Sequence, residues 1–422
     1  MASCFSTRQW PVSKLRVYGG ILFVLWSNLL FGQTPPNFKI AFIGDQGLNN
    51  DSRAVLNLIK SEGAQAVLHQ GDFDYSDDPD AWEEQINSVL GTDFPYFASA
   101  GNHDEAEWPG YQQHMENRLN RLGIAWDGDL GAKSSLTYRG IFIILVAPGV
   151  DVPGSGHDAY IRERLAADNS IWSICSWHKN MEAMQVGEKV DETGWEVYEE
   201  ATKGGAIIAT GHEHSYSRTH LLSSPMNQIV VSRTEAMTLT KGQSFVFVSG
   251  LGGQSIREQQ HTEDWWASVY TSDQSANYGA LFGTFNVNGN PKLATFYFKD
   301  INGNIADQFS VLSAVEGGST AIDETAEHVP SKFTLDQNYP NPFNPSTKIR
   351  FRLAEAGPTT LLIVNSMGQT VRTLVHEEMP AGERVIEWDA RDDAGALVAS
   401  GTYVYRLESS GEVQSKGLVF LK

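Results

Sequence analysis

Between Lys39 and Leu312 the chain repeats one pattern, a short apolar run followed by a polar, glycine-rich turn. The runs are KIAFI, AQAVLH, FPYFASA, IFIILVA, IWSICSW, GAIIAT and SFVFVS. They are rich in β-formers and do not alternate cleanly between apolar and polar, which is the pattern of strands covered on both faces. Between the first two, NDSRAVLNLIKSEG predicts a helix: Asn50 or Asp51 as cap, Val55, Leu58 and Ile59 on one side, and Gly63 as the stop. Strand, helix and strand in this order make a βαβ unit, so the segment from 33 to 312 is expected to be an α/β sandwich.

Residues 313–332, SAVEGGSTAIDETAEHVPSK, are small and acidic without apolar periodicity, a linker composition. From 333 to 422 a Pro/Asn-rich lead is followed by short strands separated by Gly and Asp turns. That texture predicts a small all-β, immunoglobulin-like domain. At the other end, basic Arg8, Lys14 and Arg16 precede the apolar stretch VYGGILFVLWSNLLF. It falls short of the ~20 apolar residues that span a bilayer, so residues 1–32 are expected to be a cleaved signal peptide. No integral membrane segment is expected in the mature chain.

The formal charge is −20, and removal of residues 1–32 leaves 28 basic against 51 acidic residues, or −23. This argues against nucleic acid as a partner, because phosphate backbones are held by Lys and Arg. Of the two cysteines, only Cys175 remains in the mature chain. It lies within an apolar run and is expected to be buried and inert. Without an internal disulfide, an exported chain relies on its core or on metal.

Five polar clusters follow the carboxyl ends of predicted strands: GDQG at 44–47, GDFDY at 71–75, GNHD at 101–104, WHKN at 177–180 and GHEH at 211–214. Carboxyl ends of an open α/β sheet share one rim, so residues distant in sequence can converge there. Asp45, Asp72, Tyr75, Asn102, His178, His212 and His214 offer oxygen and imidazole nitrogen but no thiolate. Such a set favours Fe, Mn or Zn over a closed structural zinc site. Seven donors are too many for one ion. Two ions sharing a carboxylate would use them, and a pair ~3.5–4 Å apart can clamp a phosphoryl group and generate hydroxide. Each cluster alone could be an ordinary turn or a core histidine; together, in this order, they point to metal.

These motifs resemble those of the calcineurin-like metallophosphoesterase superfamily and, within it, the purple acid phosphatases. Gly47 stands where the superfamily's first motif has His, and Tyr75 where its second has a final Asp, both departures being those of the purple branch. The wider stretches VLHQGDFDY and GHEHSYSRT add to the likeness. It implies a four-layer αββα sandwich in which Asp45, Tyr75 and His214 hold Fe(III), Asp72 bridges, and Asn102, His178 and His212 hold a divalent Fe, Zn or Mn. His103 would face the phosphate, with Asp104 orienting it. Lys179 and Asn180 stand where many relatives carry a Pro-containing segment and further substrate-facing histidines. The second phosphate-binding group is therefore open between Lys179, His157 and His220.

LDQNYPNPFNPSTKIRFRL and GERVIEWDARDDAGALVASGTYVYRL resemble the sorting domains of the bacterial type IX secretion system. That resemblance implies the secretion machinery as partner and a secreted or cell-surface location in a Gram-negative bacterium; a carbohydrate-binding or spacer sandwich is the alternative. The expected function is hydrolysis of the phosphate monoester of a small molecule by metal-bound hydroxide. The alternatives are a phosphodiesterase or nucleotidase with the same two-metal site, and a surface-displayed binding protein without turnover.

Overall fold

The computed structural model describes residues 34–315 and 333–421, apart from 337, 342, 366–368, 410 and 411. The expected signal peptide and residues 316–332 of the expected linker lie outside the described residues. The strand Ile305–Ser313 runs one residue past the expected boundary at 312.

All seven apolar runs form strands, in two facing sheets. In the seven-stranded sheet Phe38–Ile43 pairs in parallel with Ala66–His69, which pairs in parallel with Tyr96–Ala98 at the edge. On its other side Phe38–Ile43 pairs antiparallel with Gly279–Val287, the first strand of a meander continued by Asn290–Asp300 and Ile305–Ser313. The eight-stranded sheet carries Ile141–Val146, Trp172–Ser176, Ile207–Thr210 and Val246–Ser249 side by side in parallel.

The absence of alternation now has its reason. Ile143, Leu145, Ile174, Ile207 and Phe247 enter the core shared with Phe42 and Phe296 of the opposite sheet. Their neighbours Ile144, Val146, Cys175, Ile208 and Val246 pack instead with Ile161, Leu165, Val197 and Tyr198 of the helices His157–Ala167 and Trp195–Gly204. Both faces of each strand are therefore apolar. The helices Asn50–Ser61, Pro79–Val89 and Trp108–Leu122 contribute Val55, Trp82 and Tyr111 to the first core. The result is an αββα sandwich with mixed sheets. Cys175 is buried, and burial pushes its thiol far above the ordinary range, so it is inert as expected.

The first helix is capped by Asn49, one residue before the expected position. The Asn49 side chain accepts from the Ser52 N–H at 2.9 Å, while the Asn49 N–H donates to Ser52 Oγ at 3.1 Å. This reciprocal box satisfies two otherwise free donors at the helix start. The Asn49 amide also donates to the Gly253 carbonyl at 2.9 Å, tying the helix start to a loop at the rim. Leu56, absent from the expected apolar stripe, is buried with Val55 and Ile59.

The C-terminal domain has a three-stranded and a four-stranded antiparallel sheet around Phe343, Ile349, Trp388, Tyr405 and Phe420. In TKIRFRL the positions 347, 349, 351 and 353 are buried and the basic residues between them exposed, the period of a sheet with one wet face. Among the described residues no helix is long and apolar enough to cross a membrane.

Candidate metal centre

Three of the candidate ligands hold strained backbone. Asp45, Asp72 and His212 lie at φ values of 58°, 57° and 69°, left-handed conformations that cost on the order of 1–3 kcal/mol each for residues other than Gly. The turns that carry them are stitched together: the Asp45 N–H donates to the Gly71 carbonyl at 3.0 Å, and the Gly211 N–H to that of His178 at 3.1 Å. Gly71, at φ 82°, and Gly101 let these turns touch. A Cβ on Gly71 would meet the Gly101 backbone and His178 at 2.8 Å, and one on Gly101 would overlap Asp72.

The side chains converge in two groups, Asp72 with His178 and His212, and Asp45 with Asp72 and His214. Within each, the donor atoms all lie within 4.8 Å of one another, and both groups use Asp72. The Tyr75 hydroxyl joins the second group, 3.3 Å from both Asp45 Oδ1 and Asp72 Oδ2 and 3.1 Å from His214 Nε2. Asn102 Oδ1 is buried with no hydrogen-bond partner.

Each histidine has one ring nitrogen already engaged. The His178 Nδ1–H donates to the Gln70 carbonyl at 2.7 Å, His212 Nε2 meets Glu192 Oε2 at 2.7 Å, and His214 Nδ1 meets Ser255 Oγ at 2.7 Å. The remaining nitrogens face inward, where His178 Nε2 lies 3.0 Å from His212 Nδ1 and 3.2 Å from Asp72 Oδ1. Outer partners of this kind fix the tautomer and aim of metal-bound imidazoles.

The donors perturb one another strongly. Burial opposes charge on His178, yet Asp72 beside it pushes its imidazole up to about 9. Burial and then His178 hold His212 far below the ordinary histidine range. Burial, Asp45 and Asp72 push the Tyr75 phenol far above its usual range. Close-packed donors, an orphaned amide oxygen and a shared carboxylate fit a pair of cations. Asp45, Tyr75 and His214 would serve one ion, Asn102, His178 and His212 the other, with Asp72 between them.

His103 and Asp104 take different places. The His103 ring is at the mouth, packed on Tyr75 at 4.4 Å between centroids, while its backbone N–H donates to Asp72 Oδ1 at 2.9 Å. Asp104 does not orient that ring. Its carboxylate accepts from the backbone N–H groups of Gly101 at 2.6 Å, Phe73 at 2.8 Å and Asp72 at 3.0 Å, because three unpaired donors of adjoining turns point at it. It is a buried brace between the two turns.

Sequence reasoning missed Glu192, Lys189 and Arg257. Glu192 carries His212 and also pairs with Lys179 at 3.3 Å. Lys189 and Arg257 line the 280 Å³ cavity above the ligands together with His103.

Residues 38–216 match the calcineurin-like phosphoesterase family, and residues 338–412 the FlgD Ig-like domain. The first part of the chain thus carries a domain similar to the calcineurin-like phosphoesterases, and the second an Ig-like all-β domain. The fold is similar to that of the purple acid phosphatase PPD1 from yellow lupin (Lupinus luteus) seeds, at 16% identity and a TM-score of 0.52, over 69% of this chain and 58% of that one. The chain thus spans little more than half of the lupin enzyme. PhoD matches at 11% identity over 69% of this chain and 74% of its own, TM-score 0.45. GAP50, the anchor in the inner membrane complex of Plasmodium, matches at 12% over 66% and 89%, TM-score 0.44. Comparison with curated protein sequences gives no match.

Proposed function

We propose that the chain hydrolyses phosphate monoesters of small molecules at a two-metal site. The observation that carries this is the pair of donor groups sharing Asp72 beneath a cavity with His103 at its mouth. Bound there, the ions would neutralise phosphoryl oxygens and acidify water. The protein's own part is to hold the donors in fixed tautomers, exclude bulk water from the buried half, and deliver a proton from the His103 ring to the departing oxygen. Purified protein loaded with iron and a second divalent metal should bind two ions per chain and cleave p-nitrophenyl phosphate faster than its bis ester. The reverse preference would support the diesterase alternative, and two bound ions without turnover the binding-protein alternative.

The donor chemistry divides the metals. Phenol and carboxylate oxygens around Tyr75 suit Fe(III), and the amide and two imidazoles a divalent Fe, Zn or Mn. The phosphorylated substrate would enter over His103.

We also infer that the chain is exported and that residues 333–422 serve as the sorting signal for type IX secretion. Support comes from the N-terminal stretch at 17–31 and from the separate Ig-like core. Among the described residues, Val287 and Leu293 join Val364 and Val404 in a small apolar cluster between the domains. A chain ending at Ala314 should therefore keep its metals and turnover but stay in the periplasm of its host, as cell fractionation with an activity assay would read. Its appearance at the cell surface would refute the sorting role.

A further inference from the structure

The three sequence candidates for a second phosphate-binding group fail for separate reasons. Lys179 is paired with Glu192. His157 begins a helix beside Lys133, and His220 lies near Arg233 and Arg218; neither lines the cavity over the ligands. Lys189 and Arg257 do.

These two cations are held and not merely exposed. The Gln185 amide donates to the Lys189 carbonyl at 2.7 Å, fixing its turn, while among the described residues its ammonium has no partner. The Arg257 N–H donates to the carbonyl of the candidate ligand His214 at 3.0 Å, and its Nη1 donates to the buried Glu213 at 3.1 Å. That single contact orients a planar fork with donors to spare. The two loops are stitched into one wall, since the N–H groups of Gln260 and His261 both donate to the Val186 carbonyl, at 2.7 and 3.1 Å, and the Trp265 indole donates to that of Ala183 at 3.1 Å.

We propose that Lys189 and Arg257 form a clamp that reads the second negative charge of a phosphate monoester and so selects monoesters over diesters; this rests on the phosphatase reading above. The chain is strongly acidic, and Asp45 and Asp72 sit at the floor of the site, so an approaching dianion needs positive charge at the mouth. A monoester near neutral pH carries nearly two charges on three unsubstituted oxygens, as a phosphorylated side chain does. A diester carries one charge and has lost an acceptor to its second ester link. The clamp therefore gains more from the monoester, and gains it on binding.

The decisive variant is Lys189→Ala, because its side chain has no structural partner to lose. Its KM for p-nitrophenyl phosphate should rise about tenfold or more, the size of one lost charge-assisted hydrogen bond. A binding group of this kind leaves kcat within about threefold. KM for bis(p-nitrophenyl) phosphate should move less than about threefold, since less charge is read. Calorimetric titration of the metal-loaded protein with inorganic phosphate should show a matching loss of affinity at unchanged metal content, and Lys189→Arg should restore it. Arg257→Gln should behave alike, although it also leaves Glu213 unpaired. Unchanged KM and phosphate affinity in Lys189→Ala, or equal losses on both esters, would overturn the clamp. Absence of turnover by the unsubstituted, metal-loaded protein would overturn the phosphatase reading, and with it the selection of monoesters.

Discussion

Replacing His103 by Ala should lower kcat on p-nitrophenyl phosphate by on the order of 10²–10⁴-fold, the range for a removed general acid, while both ions stay bound. The geometry separates the two effects. His103 touches the ligand set through its backbone N–H, which donates to Asp72 Oδ1 at 2.9 Å and survives in Ala. Its ring contributes no atom to either donor group and packs against the Tyr75 ring. Removing the ring therefore removes a proton donor at the mouth but no metal ligand. Metal content and kcat measured on the same sample decide the matter. If the variant loses ions in step with rate, the ring is a ligand and its assignment to the substrate side is wrong.

The convergence of the candidate residues was legible because each sits in a short polar cluster beside glycine at the end of an apolar run, and the rim geometry of parallel strands does the rest. Asp45, Asp72, Tyr75, His178, His212 and His214 meet for that reason, with Asn102 presented beside them. The residues around them were not legible. VGEKVDETG, which holds Lys189 and Glu192, has no strand-end glycine cluster to mark its charges. Its path is set by contacts to Gln185 and to the loop at 260, both invisible to local pattern. Asp104 misled through adjacency: it stands next to His103, yet a carboxylate at a tight turn is drawn to the free N–H groups there before it reaches a neighbouring ring. Likewise no local window reveals that Phe38–Ile43 pairs with Gly279–Val287, more than 200 residues later. What a sequence shows plainly is covered strands and strand-end chemistry; loops held by one or two distant hydrogen bonds leave little trace.

Tyr75→Phe should abolish the visible absorption of the Fe(III)-loaded protein and weaken its hold on that iron. The Tyr75 hydroxyl is near three candidate ligand atoms at once, from Asp45, Asp72 and His214. Burial and then those carboxylates push the phenol well above its ordinary value, which is already near 10 for a free side chain. A strongly polarising cation can displace a phenol proton, much as bound metal ions deprotonate other ligands. On the proposed assignment a trivalent iron would take the phenolate, whereas a divalent ion would leave the phenol neutral. Phenolate bound to Fe(III) gives a broad charge-transfer band, which Phe cannot supply. The fold should survive, because the ring keeps its packing on His103 and the other donors come from separate turns. Absorption spectra with iron analysis, taken on both proteins under oxidising conditions, test the assignment. A colourless Fe(III)-loaded parent protein, or a Phe variant with an unchanged band, would remove Tyr75 from the ligand set.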